Sequence, residues 1–202
     1  MTRPRLALLA ALLTLCLPAA ASAGEDPSLG RSKAKVWVEE YASLSCVHCA
    51  HFNNEVFPAF KARYIDTGKV RYTLHEILTS PTEFAAAGFL TARCAPPAKY
   101  YAVIDAIFRG REAMFSGDDV RGGLLTAAKS AGVTAAQFDA CLNDPAALEA
   151  LNARVAKNAV DGEIHATPTF VVNGVKVKEG VMSLEELDAA VADAAKAKPK
   201  RP

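Results

Sequence analysis

Charge of one sign is not in excess in this 202-residue sequence: 23 basic and 22 acidic residues leave a formal net charge of +1. Without a basic surplus there is no electrostatic case for a nucleic-acid partner, so partners must be met through shape and chemistry. A membrane-spanning helix is not indicated either. The leading apolar run, Leu6 to about Leu17, falls short of the roughly 20 residues needed to cross a bilayer. A second C-x-x-C and paired histidines are also missing, and without them a four-ligand zinc site cannot be completed. No internal repeat or low-complexity linker divides the chain.

What is present is enough apolar material, 51% of the residues, for one sizeable core in one domain or one domain with an insertion. The start of the chain has three regions in order: Arg3 and Arg5, the apolar run, then Pro18 leading to Ala21-Ser22-Ala23. This is the pattern of an export signal. Residues 1–23 are expected to be a signal peptide cleaved after Ala23, leaving residues 24–202 as a single domain in the periplasm. A membrane anchor is the alternative, disfavoured by the short run and the small residues after it. Cys16 raises a lipoprotein alternative, but Leu15 before it is bulky where lipid attachment wants a small residue. Of five cysteines, removal of Cys16 with the leader leaves four, in a compartment where disulfides persist.

Lys35 to Tyr41 is rich in Val and aromatics and predicts a strand, followed by a short Ala-Ser-Leu-Ser connection into Cys46. From Val47 to about Tyr64, Phe52, Val56, Phe60 and Tyr64 recur every four residues, predicting a helix that Pro58 should kink. Lys69 to Leu78 alternates Val70, Tyr72 and Leu74 and predicts a second strand, parallel to the first because a helix joins them. Ser80-Pro81 opens a stretch, about 79–162, that is rich in Ala and Leu and has no strand signal. It divides into helices at Pro96-Pro97, Ser116-Gly117, Gly132 and Asp144-Pro145, with Thr134 as a cap, and these are expected to form a lid. Asn173-Gly174 between two β-prone runs predicts a hairpin. Ser183 with Glu186 forms a capping box for a last helix carrying Leu184, Leu187, Ala190 and Val191 on one face.

Cys46-Val47-His48-Cys49 falls where the first strand passes into the first helix. With Cys46 at the helix N-terminus, its sulfur meets unpaired N–H groups and the positive end of the dipole, which favours the thiolate. A protonated His48 would add to this. A stabilised thiolate stabilises the reduced form, so the disulfide is readily handed to a substrate thiol with Cys46 as leaving group. Cys49, one turn on, would resolve the mixed disulfide and needs a proton acceptor. Glu40, six residues before Cys46, is the candidate, directly or through water. The alternative is that Glu40 faces solvent, since Glu39 and Glu40 are adjacent and one of them must point away from the core.

The run EYASLSCVHCAHFNNEVFPAFKARY, the later ATPTFVVNG and the helical stretch between them resemble the DsbA family of bacterial thiol-disulfide interchange proteins over nearly the whole mature chain. With the element order above, this implies an α/β, thioredoxin-like fold with an inserted helical domain. In that family the first cysteine is the nucleophile, the histidine within the motif tunes it, and a Thr or Val precedes a cis-proline at the active site. The positions matched here are Cys46, His48, Thr167 and Pro168. The family more often has Pro where this chain has Val47. The resemblance also implies a structural disulfide between Cys94 and Cys141, with a regulatory pair as the alternative. Implied partners are folding exported polypeptides with free thiols and a quinone-linked membrane oxidase that restores the disulfide. No cofactor or metal is implied.

Three other readings compete. A disulfide isomerase of related type works as a dimer through an N-terminal domain, but about a dozen residues separate Ala23 from Lys35, so a monomeric oxidase is expected. A metal carrier could use Cys46, Cys49 and His48 or His51. A chaperone that only binds peptides would not need both cysteines. Phe52, Phe57, Tyr100, Tyr101 and Phe108 are expected in the core, and His51, His75 and His165 are given no chemical part.

Overall fold

The computed structural model describes residues 25–117 and 119–197. The expected leader, residues 1–23, and with it Cys16, lies outside the described residues, as do the last five residues of the Lys-Pro-rich end.

Strands β1 (Ser28–Leu29), β2 (Val36–Ala42), β3 (Val70–Glu76), β4 (Thr169–Val172) and β5 (Val175–Glu179) form one sheet in the order β1-β3-β2-β4-β5. β2 and β3 are parallel, Val38 opposite Tyr72 and Glu40 opposite Leu74, while the other pairings are antiparallel. β1 has no strand signal in the sequence; its two residues pair with Tyr72 and Thr73.

Period-two alternation turns Val36, Val38, Glu40 and Ala42 to one face, together with Val70, Tyr72, Leu74 and Glu76. That face meets the main core, whereas Tyr41, Ile77 and Val171 form a small cluster on the other.

The helical run after β2 is not uniform. α1 (Val47–His51) passes through a π turn at Phe52–Val56 into α2 (Phe57–Phe60), and a second π turn spans Lys61–Ile65. The proline kink therefore takes the form of widened turns on either side of the short segment that holds Pro58, which has no N–H to donate. A strict period of four overruns a 3.6-residue helix by about 40° per step. The widened turns take up that drift, leaving Phe52 and Phe60 buried and Val56 and Tyr64 half-buried.

The insertion comprises α3 (Thr82–Cys94), α4 (Tyr100–Ser116), α5 (Val120–Ser130), α6 (Ala135–Leu142) and α7 (Pro145–Asp161), and its breaks fall where the sequence places them. Thr134 and Gln137 close a capping box at α6. The expected lid is packed onto the body of the fold: Phe84, Phe89, Ile107, Leu124 and Phe138 share one continuous core with the sheet, and Cys46 stays half-exposed. α3 lies close to the loop before Cys46, because a Cβ on Gly88 would sit 2.7 Å from Leu44 Cδ1.

The hairpin turn forms with both central residues at positive φ, 49° at Asn173 and 78° at Gly174. α8 (Leu184–Lys196) starts on the Ser183–Glu186 capping box and buries Leu187 and Val191 against β2 and β4. Phe52, Tyr100 and Phe108 are core residues; Phe57 and Tyr101 are half-buried. Among the described residues no helix is long and apolar enough to cross a membrane.

Candidate active site

Cys46 is the N-cap residue of α1, with extended backbone (φ −77°, ψ 122°) and its sulfur accepting from the Cys49 N–H at 3.4 Å. A capping position is normally filled by an oxygen acceptor; here the acceptor is a sulfur, and negative charge on it improves the cap. The Cys46 thiol also reaches the Thr167 carbonyl at 3.3 Å, across 121 residues of sequence. The Thr167–Pro168 peptide is cis, Pro168 is buried, and its own carbonyl is bonded to the Gly180 N–H.

The two cysteines, both free, have opposite environments. The hydrogen bond with Cys49 is the main cause that lowers Cys46 to about 5; partial burial opposes it, and Thr167 and the backbone N–H groups of Cys49 and His48 assist. Burial pushes the Cys49 thiol well above its ordinary value, reinforced by its bond with Cys46 and by the charge of Glu40. His48 contributes through its backbone N–H, and its imidazole is exposed.

Glu40 is 2% exposed and lies on the core face of β2, where it accepts a hydrogen bond from Tyr72 on β3. Burial raises it to about 8, the Tyr72 bond lowers it in part, and the charge of Cys46 raises it. Glu39 does point away from the main core, as strand parity requires, but the opposite face of β2 is covered as well, so Glu39 is buried too and the alternative of a solvent-facing Glu40 is excluded. Glu39 bonds His75 Nε2 at 3.0 Å, and Asp26 bonds His75 Nδ1 at 2.8 Å. Asp26 continues to Arg93 and Asn158, and Arg93, Arg154 and Tyr100 all donate to the fully buried Glu76. The alternation of β3 places Glu76 on the core face, which was the available sequence signal for that network; the partners from α3, α4 and α7 had none.

The loop before Cys46 is fastened at several points. Ser45 Oγ donates to the Thr79 carbonyl at 2.7 Å, and Ser43 Oγ accepts from the Thr79 N–H at 3.1 Å. Arg111 of α4 donates twice to the Ser45 carbonyl. Sequence reasoning missed Tyr72, Ser43, Ser45, Thr79 and Arg111. Tyr72 was within its reach, since Tyr72 and Glu40 share a face by strand parity.

Cys94 at the end of α3 and Cys141 in α6 are joined by a disulfide with Cα atoms 6.0 Å apart. Among the described residues no group of three or more His, Cys, Asp and Glu side chains is arranged to hold a metal ion.

A parallel β2–β3 pair, a dithiol at the start of the helix that joins them and a cis-proline loop against the first sulfur define a thioredoxin-fold protein with an inserted helical bundle. A family model described as Thioredoxin matches residues 22–193, and the chain belongs to that family. It is 30% identical over 167 residues to a Rickettsia typhi protein named as a candidate protein-disulfide oxidoreductase, covering 82% of this chain and 60% of the relative. The chain thus spans about three fifths of the length of the curated relatives it matches. Among solved structures, alpha-DsbA1 of Wolbachia pipientis superposes with a TM-score of 0.75 at 26% identity, over 90% of this chain and 94% of that one. DsbA of Chlamydia trachomatis superposes with a TM-score of 0.68 at 20% identity, over 88% and 96%. The DsbA resemblance and the inserted thioredoxin-like fold read from the sequence are the ones these comparisons find.

Proposed function

We propose that the chain is an exported protein thiol-disulfide oxidoreductase working in the periplasm as a monomeric dithiol oxidase. The observation that carries this reading is the opposed environments of the two sulfurs: Cys46 is held near 5 at the helix start, while burial lifts Cys49. A substrate thiolate attacks Cys46 Sγ of the Cys46–Cys49 disulfide, the S–S bond breaks, and Cys49 leaves with the electron pair. Cys49 is a poor thiolate, so it takes a proton, and Glu40, neutral below about 8, is the group proposed to supply it. A second substrate thiolate then attacks the substrate sulfur of the mixed disulfide and releases Cys46 as a stable thiolate. The substrate has lost two electrons and the protein has gained them. In the reverse, resolving direction Glu40 takes the proton from Cys49.

Half-buried Thr167, set beside the Cys46 sulfur by the cis-Pro168 that follows it, is the edge along which a visiting polypeptide pairs, and exposed His48 lies within the dithiol motif it approaches. Folding exported polypeptides with free thiols are the proposed substrates, and a quinone-linked membrane oxidase is the proposed acceptor of the electrons. The names of the Rickettsia and Wolbachia relatives support this class of reaction. The Cys94–Cys141 bridge is assigned a structural part.

Cys49→Ser tests the reading directly. A covalent adduct between Cys46 and reduced, unfolded substrate should accumulate, and the wild-type protein should equilibrate with glutathione as an oxidant. No adduct, or a strongly reducing equilibrium, would reject it.

A further inference from the structure

Arg111 lies 66 residues from Ser45 in sequence, in the middle of α4, yet both Nε and a terminal nitrogen donate to the Ser45 carbonyl, at 3.0 and 2.6 Å. That carbonyl belongs to the peptide unit whose N–H is that of Cys46. The same unit is held from its other side, where the Cys46 N–H donates to the Ser43 carbonyl at 3.0 Å. The guanidinium is itself pre-set: it stacks on the Phe115 ring at 4.5 Å, and Phe115 packs on Phe84 of α3 at 4.7 Å between ring centroids. A planar fork loses less freedom on bonding than a flexible ammonium, so it fixes direction as well as distance.

We propose that Arg111 is a positioning residue for the nucleophile, through which the helical insertion holds the Ser45–Cys46 peptide plane and so aims the Cys46 sulfur at its partners. The aim matters because the bonds that favour the thiolate are directional. The sulfur must meet the Cys49 N–H, the His48 N–H and the Thr167 side chain together, and hydrogen bonds weaken steeply when misaligned. Rotation of the peptide plane before the cap would loosen all of them at once. The groups facing Cys46 are then the Cys49 thiol and backbone and the His48 backbone of α1, Glu40 of β2, Thr167 before β4, and Arg111 of α4 acting through Ser45. The inference deepens the redox reading above and rests on it only for its consequence in catalysis; the placement of the sulfur is measurable whatever the substrate.

Arg111→Gln and Arg111→Lys, each in the full chain, test it through the pH titration of Cys46 thiolate absorbance and the glutathione equilibrium of the same samples. Arg111→Gln should move the thiolate midpoint upward by about one unit and shift the equilibrium about tenfold toward the disulfide. Arg111→Lys keeps a cation but not the fork, and should fall between Gln and wild type. An unchanged midpoint in both variants, with only a lower melting temperature, would make Arg111 a mere stability contact and overturn the proposal. If Arg111→Gln does not fold, Phe115→Leu replaces it: loosening the fork while keeping the cation should raise the midpoint by a smaller amount, and no rise would reject the proposal. Wild-type protein that fails to oxidise substrates while the variants still shift the midpoint would reject the oxidase reading and leave this one standing.

Discussion

Tyr72 donates its phenolic proton to the carboxyl of Glu40, joining two buried side chains that project from adjacent parallel strands onto the core face of the sheet. A neutral hydroxyl can hold a carboxyl in place without supplying the charge that would keep it ionised in a low-dielectric interior. Burial therefore prevails, and the acid titrates at about 8.

Glu40→Gln should stabilise the protein, and more so as the pH rises. The raised acid contributes stability that is fully present below its unfolded value of 4.5 and is lost as the pH rises through about 8. Glutamine has no proton to lose, so its advantage grows across that window and reaches on the order of 5 kcal/mol at the alkaline end. Urea unfolding at a series of pH values reads it; a gain independent of pH would contradict the assignment. Single-turnover oxidation of a thiol peptide should slow by about 10- to 100-fold in the same variant.

The sign for Cys46 is opposite. A thiol lowered from 9.0 to about 5 contributes stability to the reduced protein that is present above 9.0 and lost as the pH falls through about 5. The reduced form should therefore melt above the oxidised form near neutral pH, and the gap should close toward pH 5. Paired calorimetric scans of the two redox forms measure it. A gap that persists unchanged well below pH 5 would point to a cause other than the thiolate.

Replacing Cys94 and Cys141 together by serine removes a bridge between residues 47 apart. The chain-entropy model gives about 4 kcal/mol for a closed loop of this size, and measured losses run from about 2 to 4 kcal/mol. The melting temperature should fall by roughly 5–15 °C, while the Cys46 thiolate midpoint stays where it is. A displaced midpoint would show that the second bridge reaches the redox site.

His75 lies between Asp26 and Glu39 and is stacked on Tyr41 at 4.6 Å. Burial works against its charge, but the bonds to the two carboxylates outweigh it and lift the imidazole to about 9. The resulting stability is fully present below 6.5 and is lost as the pH rises through about 9. His75→Gln should cost about 3 kcal/mol near neutral pH, because it removes the cation from buried Glu39 and one of the two that Asp26 pairs with, Arg93 remaining as the other. Denaturant titrations at pH 6 and above 9 separate the cases: the variant should converge on wild type at the higher pH.

Elements with a local cause are legible in the order of residues alone. The period-two runs mark β2 and β3, the Asn173-Gly174 pair marks the hairpin, the caps at Thr134 and Ser183 mark two helix starts, and Cys46 to Cys49 stand out by their place between strand and helix. β1 is not legible, since two residues carry no period and gain strand character only by pairing with β3. Parity alone can join Glu40 to Tyr72 and turn Glu39 to the other face, but nothing in the order of residues says that both faces of β2 are covered and that Glu39 is buried as well.

The alternation of strand and helix, the Cys46 thiol at a helix start and the breaks that divide the insertion follow from the order of residues, because each depends on backbone preferences acting over a few residues. Long-range packing alone brings Thr167 to the sulfur and Arg111 to the peptide before it, and holds Asp26, His75 and Glu76 in one polar network. Those contacts join residues tens of positions apart. They exist because burying a charge or a polar group is tolerable only where folding brings a partner to it.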